Sequence, residues 1–467
     1  MNSSAILATG VMLALVVAIA GLFRPFLGLL VFVVIHFVQP GELIPALAPL
    51  RIELVYGILL IAILIYRRAS RSGRSLLSDR IILGAVILLA ASLLSIPFAV
   101  WRGGAASTVI ELMKLIALIL LLTTLVDSQT RLRKMLWCMA AVATWFASSS
   151  LSAYAHGQFY ALGDLDRAEG VNSIVGGPNE LAGLLLALFP MLVALLRSSR
   201  NVLARILVVV CGAVSLIAIS LTGSRIAMVG LIAIAIYYTF QSKYKLLTCV
   251  ACVLIGYLVW INLPGVYKHR YLTVEHYVEG DQLDASNELR LEVWKAGRQI
   301  FLHNPILGVG AGQFPTAYGL IYLAGRHAAW MSPHNLLIQV ACELGLIGLA
   351  AFVYFMCQVA KGIRSVLRRK RNCGFELSYQ VAIACSVMYV GVLILSLVGH
   401  TLYRPYWYLL AGLVAANRNI VAARLKASAK IKTVSETIPD PFAGLVATNR
   451  NIVAARLQAS AKIKTVG

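Results

Sequence analysis

From end to end the chain alternates between apolar stretches long enough to cross a bilayer and polar connections. The apolar segments lie near 5–22, 27–38, 52–66, 81–100, 107–126, 135–154, 179–196, 206–221, 226–240, 246–262, 336–359, 378–398 and 406–421. A spanning helix needs about 20 mostly apolar residues, since the hydrocarbon core offers backbone N–H and C=O groups no water to bond. Composition agrees: 60% of the 467 residues are hydrophobic, 13% are charged and mean hydropathy is +0.83. A soluble domain carries roughly 25% charged residues. The expected fold is all-α: a polytopic transmembrane helical bundle over 1–421 with about 12 crossings, followed by a basic tail over 422–467. Segment 27–38 is short and follows Arg24-Pro25, so it reads as half of a broken or re-entrant helix. Twelve crossings with the N-terminus inside and thirteen with it outside both satisfy the charges. The run opening at Ala5 lacks a basic flank and a small-residue cleavage site, so it is expected to remain as a span.

The connections sort by charge. Arg67, Arg68, Arg71, Arg74 and Arg80 crowd one, and Arg131, Arg133 and Lys134 the next alternate one. Arg197, Arg200 and Arg205, then Lys243 and Lys245, then Lys361 to Arg371 and the tail continue the series. Most of the 41 Lys and Arg therefore fall on one side, which the positive-inside rule makes cytoplasmic. The net charge of +22 is explained by topology and attraction to anionic lipid heads, not by nucleic acid. The same alternation puts 155–178, Thr222 to Arg225, 263–335 and 399–405 outside. Near the C-terminus, Ala411 to Val434 recurs as Ala443 to Val466 with changes only at Ala416/Thr448 and Lys426/Gln458. Two undiverged copies indicate a duplication rather than a repeat architecture, and each copy could lie on the inner leaflet as a basic amphipathic stretch. Cys249 and Cys252 form a C-x-x-C within a span, where small packing residues are expected; the 263–335 segment has no cysteine, so no disulfide is expected there.

The 263–335 insert is the one long stretch too polar to span and too little basic for an inside loop. His334 closes it, and Asn335, Gln339, Cys342 and Glu343 follow at helical spacing into the next span. Such a stripe must face protein or a wet cavity. An imidazole with a pKa near 6.5 can take a proton from a hydroxyl near neutrality. Arg225 follows Thr222-Gly223-Ser224 in a short outside connection, against the charge rule, and a planar guanidinium suits a diphosphate. Arg290 lies on a helix expected from a Ser286 cap to the residue before Pro305. Leu289, Val293, Ala296 and Ile300 would form its apolar stripe, with Arg290, Trp294 and Gly297 on the adjacent line. Lys268 and Arg270, flanked by Tyr267 and Tyr271, suit either an interfacial anchor or contact with anionic phosphates at the outer surface. Gly308, Gly310 and Gly312 lack the strand and lysine of a phosphate loop and read as a tight turn. Asp164 and Asp166 are a weak metal pair without histidine support, so no metal and no cofactor is expected. Glu111 and Lys114, a mid-span i, i+3 pair, are what a transporter reading would use.

The span pattern, the late outside insert, Thr222 to Arg225, Pro305 with its glycine turn, Pro333-His334-Asn335 and Cys342 to Gly348 together resemble the O-antigen ligase family, which is similar to the O-antigen polymerases. Gly177 to Ala182 resembles a segment of the same group. The resemblance implies a metal-independent, inverting transferase in the bacterial inner membrane with its active site facing the periplasm. It would move O-antigen from undecaprenyl diphosphate to lipid A–core. His334 would be catalytic, Arg225 and Arg290 would bind diphosphate, and Asn335, Gln339 and Trp294 would support them. A polymerase joining two lipid-linked glycans, or a transporter of such glycans, is the alternative.

Overall fold

A computed structural model describes residues 14–69, 78–162, 165–272, 285–323, 330–369 and 376–437. Among them, nine helical segments are long and apolar enough to cross a membrane, and three shorter apolar helices accompany them. The protein is an all-α polytopic bundle. In order come α1 (Ala14–Phe23), α2 (Pro25–Val38), α3 (Ile52–Ala69), α4 (Arg80–Ser95), α5 (Arg102–Leu125) and α6 (Gln129–Ala155). A small antiparallel hairpin follows, β1 (Tyr160–Leu162) and β2 (Leu165–Arg167). Then come α7 (Pro178–Ser198), α8 (Val202–Leu221), α9 (Arg225–Gln241) and α10 (Lys245–Asn262). The insert contributes α11 (Gly265–Leu272) and α12 (Ala285–His303), and the chain closes with α13 (Leu336–Leu367), α14 (Glu376–Ser396) and α15 (Pro405–Thr437).

Segment 27–38 belongs to α2, which is separated from α1 by one residue, Arg24, at φ −118° and ψ 86°. Pro25 lacks the N–H that an unbroken helix would use. The chain divides into two compact units, Met1–Asn419 and Ile420–Gly467. Of the second, residues 420–437 are described, as the end of α15; the second copy of the duplicated stretch lies outside the described residues. In the first unit, α13 packs along α4, α14 along α7, and α6 against both α7 and α8. Helix α10 buries none of its residues and presents apolar side chains all round, as a lipid-facing helix does.

Helix α13 is the element that the insert is built upon, and it is broken in mid-course. Gly345 has φ +64° and ψ −163°. In a continuous helix Leu346 N–H and Ile347 N–H would bond the carbonyls of Cys342 and Glu343. They donate instead to the carbonyls of Pro305 and Ile306, at 2.8 and 3.3 Å. The two vacated carbonyls accept from Val309 N–H (2.9 Å) and Gly310 N–H (3.0 Å). The glycine turn thus replaces the missing helical bonds one for one, so these two N–H and two C=O groups all stay paired. A Cβ at position 345 would lie 2.2 Å from the Ile306 carbonyl oxygen, so both space and φ demand glycine.

On α12, Val293, Ala296 and Ile300 are buried against Phe314, Tyr318 and Cys342. Two expectations need correction. Leu289 is 40% exposed, and Ser286 lies within the helix rather than before its first residue.

Candidate active site

The connection between α8 and α9 carries Arg225 as the first residue of α9. A cation there opposes the positive end of the helix dipole, so its placement needs support from elsewhere. Gly223 takes φ +61°, and a Cβ on it would crowd Leu165 at 3.3 Å and touch Arg270 and Arg167. Two guanidinium groups from separate elements grip this turn. Arg167 Nε of β2 donates to the Thr222 carbonyl (2.7 Å), and Arg270 Nε of α11 donates to the Gly223 carbonyl (2.9 Å). Arg167 also donates through Nη2 to Asn179 Oδ1 at 3.0 Å. Burial, reinforced by the nearby Arg270, pushes the Arg167 guanidinium down to about 10, which leaves it charged at neutral pH.

His334 sits at φ +45°, in the left-handed region that non-glycine residues seldom adopt. Its neighbours over-determine that conformation. Trp294 Nε1 donates to the Pro333 carbonyl (3.0 Å). Asn335 Oδ1 caps α13 by accepting from Leu337 N–H and Ile338 N–H, while its Nδ2 donates to the Leu397 carbonyl (3.1 Å). Gln339 Oε1 accepts from Leu402 N–H at 3.1 Å. The polar stripe faces protein throughout: Cys342 Sγ meets the Gly297 carbonyl (3.1 Å), and Glu343 Oε2 accepts from Gly312 N–H and Tyr403 Oη, each at 2.9 Å.

These elements enclose a cavity of about 380 Å³. Arg225, Arg290 and His334 line it, and so does Arg270. Lys268 does not; it is half-buried and donates to the Ile261 carbonyl at 3.2 Å. Trp294, Asn335 and Gln339 hold the His334 segment without lining the cavity. Three further lining residues escaped the sequence reading: Glu180, His400 and Arg404. Arg404 carried the same signal as Arg225, an arginine in an outside connection, and Glu180 lies within Gly177 to Ala182. His400 carried no signal. Arg404 Nη1 donates to the Ile174 carbonyl (2.8 Å), and its Nη2 lies 3.6 Å from Glu180 Oε1.

Electrostatics favour the neutral form of both imidazoles. Burial lowers the His334 pKa and the charge of Arg290 lowers it further, with Glu180 opposing. His400, its ring 5.5 Å from that of His334 in an edge-on arrangement, is pushed to about 3 by burial, Arg404 and His334. Its buried Nδ1 has no protein partner among the described residues. A neutral imidazole among four guanidinium groups can accept a proton while the cations hold an anion. Among the described residues no group of three or more His, Cys, Asp or Glu is arranged to hold a metal ion, and Asp164 lies outside them. The seven described cysteines are free thiols.

A comparison with curated proteins returns no match. Residues 209–353 match the family model for O-antigen ligase, a stretch running from within α8 to within α13 that contains Arg225, Arg270, Arg290 and His334. The protein is accordingly a multi-pass membrane protein that is similar, over residues 209–353, to the O-antigen ligase family.

Proposed function

We propose that this chain transfers O-antigen from undecaprenyl diphosphate to lipid A–core at the periplasmic face of the bacterial inner membrane, by an inverting displacement without a metal. One observation carries this reading. Four guanidinium groups, from Arg225, Arg270, Arg290 and Arg404, converge with His334 on one cavity although they belong to four separate parts of the chain. A carrier lipid bearing a glycan diphosphate presents two phosphates together, and planar guanidinium forks match phosphate oxygens in pairs. Ile226, Val229, Leu395 and Val398 line the same cavity and offer an apolar wall to the isoprenoid chain.

In the step itself, an acceptor hydroxyl attacks the anomeric carbon on the face opposite the diphosphate. The hydroxyl proton passes to His334, and the carbon–oxygen bond to the diphosphate breaks with its electron pair leaving on oxygen. Negative charge on the leaving group grows as that bond breaks. Fixed arginines therefore hold the transition state more tightly than the bound donor, which is what accelerates the reaction. Arg167 acts through the turn it grips and positions Arg225.

The test is transfer by the purified protein with lipid A–core and lipid-linked glycan offered separately as acceptors, with and without EDTA. Transfer to lipid A–core that survives chelation is expected. Extension of the lipid-linked glycan alone would make the protein a polymerase, and loss with EDTA restored by Mg²⁺ or Mn²⁺ would bring Asp164 and Asp166 into the chemistry.

A further inference from the structure

A second charged cavity, also of about 380 Å³, lies between the connection 39–51 and the helices α3 and α5. Lys114 Nζ stands 3.0 Å from Glu53 Oε2 and 2.5 Å from Glu111 Oε2, while His36 Nδ1 lies 2.7 Å from Glu53 Oε1. The Glu111–Lys114 pair of the sequence is thus half of a four-residue network that reaches α2 and α3. At about 1.5 Å per residue, Lys114 sits roughly 18 Å along α5 from Arg102, well inside a span of about 36 Å. Charges at such depth are not left facing acyl chains; they face a polar cavity or a polar occupant.

The cavity is charged within and apolar at its rim. Ile110 of its lining is exposed, and so are Leu50, Val55, Ile58 and Met113 on the same stretches of chain, as lipid-facing residues are. Its lining carries both signs of charge. Glu111 is half-exposed, and Lys114, its partner, is shared with Glu53. Arg51 is exposed at φ +41°, and its guanidinium has no partner among the described residues. Glu42, the remaining carboxylate, is already bound by Ser173 through its N–H (2.7 Å) and its hydroxyl (2.5 Å). What remains open is a carboxylate that lacks a full cation and a cation that lacks an anion.

We propose that this cavity binds a phospholipid with a primary-ammonium headgroup, a phosphoethanolamine. Its phosphate meets Arg51, its ammonium donates to Glu111, and its acyl chains run over Val55, Ile58, Ile110 and Met113. A choline headgroup has no N–H to donate to Glu111. An anionic glycerol headgroup would meet the carboxylates without a cation of its own.

The full chain in detergent micelles, titrated with phosphatidylethanolamine, phosphatidylcholine or phosphatidylglycerol of identical acyl chains and read by native mass spectrometry, tests this. The wild type should retain the ethanolamine lipid about tenfold better than the choline lipid, the worth of a charged hydrogen bond. Glu111→Gln should abolish that preference, and Arg51→Gln should weaken both lipids alike, since both carry the phosphate. Both side chains are exposed, though Glu111→Gln also weakens the pair with Lys114, and melting curves check that the variants fold. Equal retention of the three lipids by the wild type, a preference that survives Glu111→Gln, or unchanged binding by Arg51→Gln overturns the proposal. None of these readouts depends on glycan transfer.

Discussion

At the scale of single residues, the roles of His334 and the arginines separate experimentally. His334→Ala should fold and bind the lipid diphosphate donor yet lose about 100- to 10,000-fold in turnover, the usual worth of a general base. Arg225→Ala, Arg290→Ala and Arg404→Gln should each lower donor binding and turnover together, by roughly 100- to 1000-fold in rate for a donor to the developing charge. Lysine should restore only part, because it lacks the paired fork. Near-normal turnover in His334→Ala would remove the imidazole from the mechanism. The pH dependence follows from the lowered His334 pKa. Its neutral, base-competent form persists to lower pH than in a free histidine, so the acidic limb of turnover should fall below about pH 6.5. Stability carries the same sign. Between about pH 6.5 and the depressed folded-state values, about 3 for His400, the unfolded chain binds more protons than the folded one. Stability should therefore rise with pH through that window and be lost as pH falls, which thermal melts at pH 7, 5 and 4 will read. His334 was legible because it stands at the head of a polar stripe entering a span, where a histidine can change charge near neutrality. His400 was hidden because its relevance is a matter of contact with another ring.

Among the elements, the broken α13 is the most exacting. Gly345→Ala would put a side chain at φ +64° with its Cβ 2.2 Å from the Ile306 carbonyl oxygen. Strain of this kind costs about 1–3 kcal/mol even before the clash. The variant should melt at a lower temperature and lose transfer activity, because the glycine turn that it displaces also holds the base of α12. Unchanged melting would mean that the clasp at Gly345 is not under such constraint. The existence of this helix was legible from hydropathy, and its polar stripe was legible as a protein-facing surface. The break was not. Cys342 to Gly348 reads as uninterrupted helix because the compensating donors, Val309 and Gly310, come from residues more than thirty positions earlier. The turn at Gly308 was legible from its three glycines, but its partner was not.

For the whole molecule, the charge pattern makes a prediction about sides. With single cysteines in a cysteine-free background, an impermeant reagent should label positions 225 and 290 in cells whose inner membrane is intact, and positions 71 and 368 only after it is opened. Labelling of 290 only after opening would reverse the topology and remove the proposed reaction from the periplasm. The cavity itself is a property of this scale: its walls come from α7, α9, α11, α12, the end of α14, the start of α15 and the connections before α13 and α15. Nothing local in Glu180 or Arg404 announces that they face Arg225 and Arg290.

By itself the sequence determined that this chain is a bundle of apolar helices, where most of them begin and end, and that an insert with His334 and lone arginines sits at their ends. Those properties follow from needs met within one segment: apolar length against the bilayer, and i to i−4 bonds for the backbone. Only the tertiary structure decided that Arg270 joins Arg225 and Arg290 while Lys268 does not. It alone decided that Arg167 clamps the turn before Arg225, and that a glycine loop mends the break at Gly345. Each of those depends on how helices are rotated and staggered against one another. That is set by packing between segments far apart in the chain, and one-dimensional hydropathy carries no record of it.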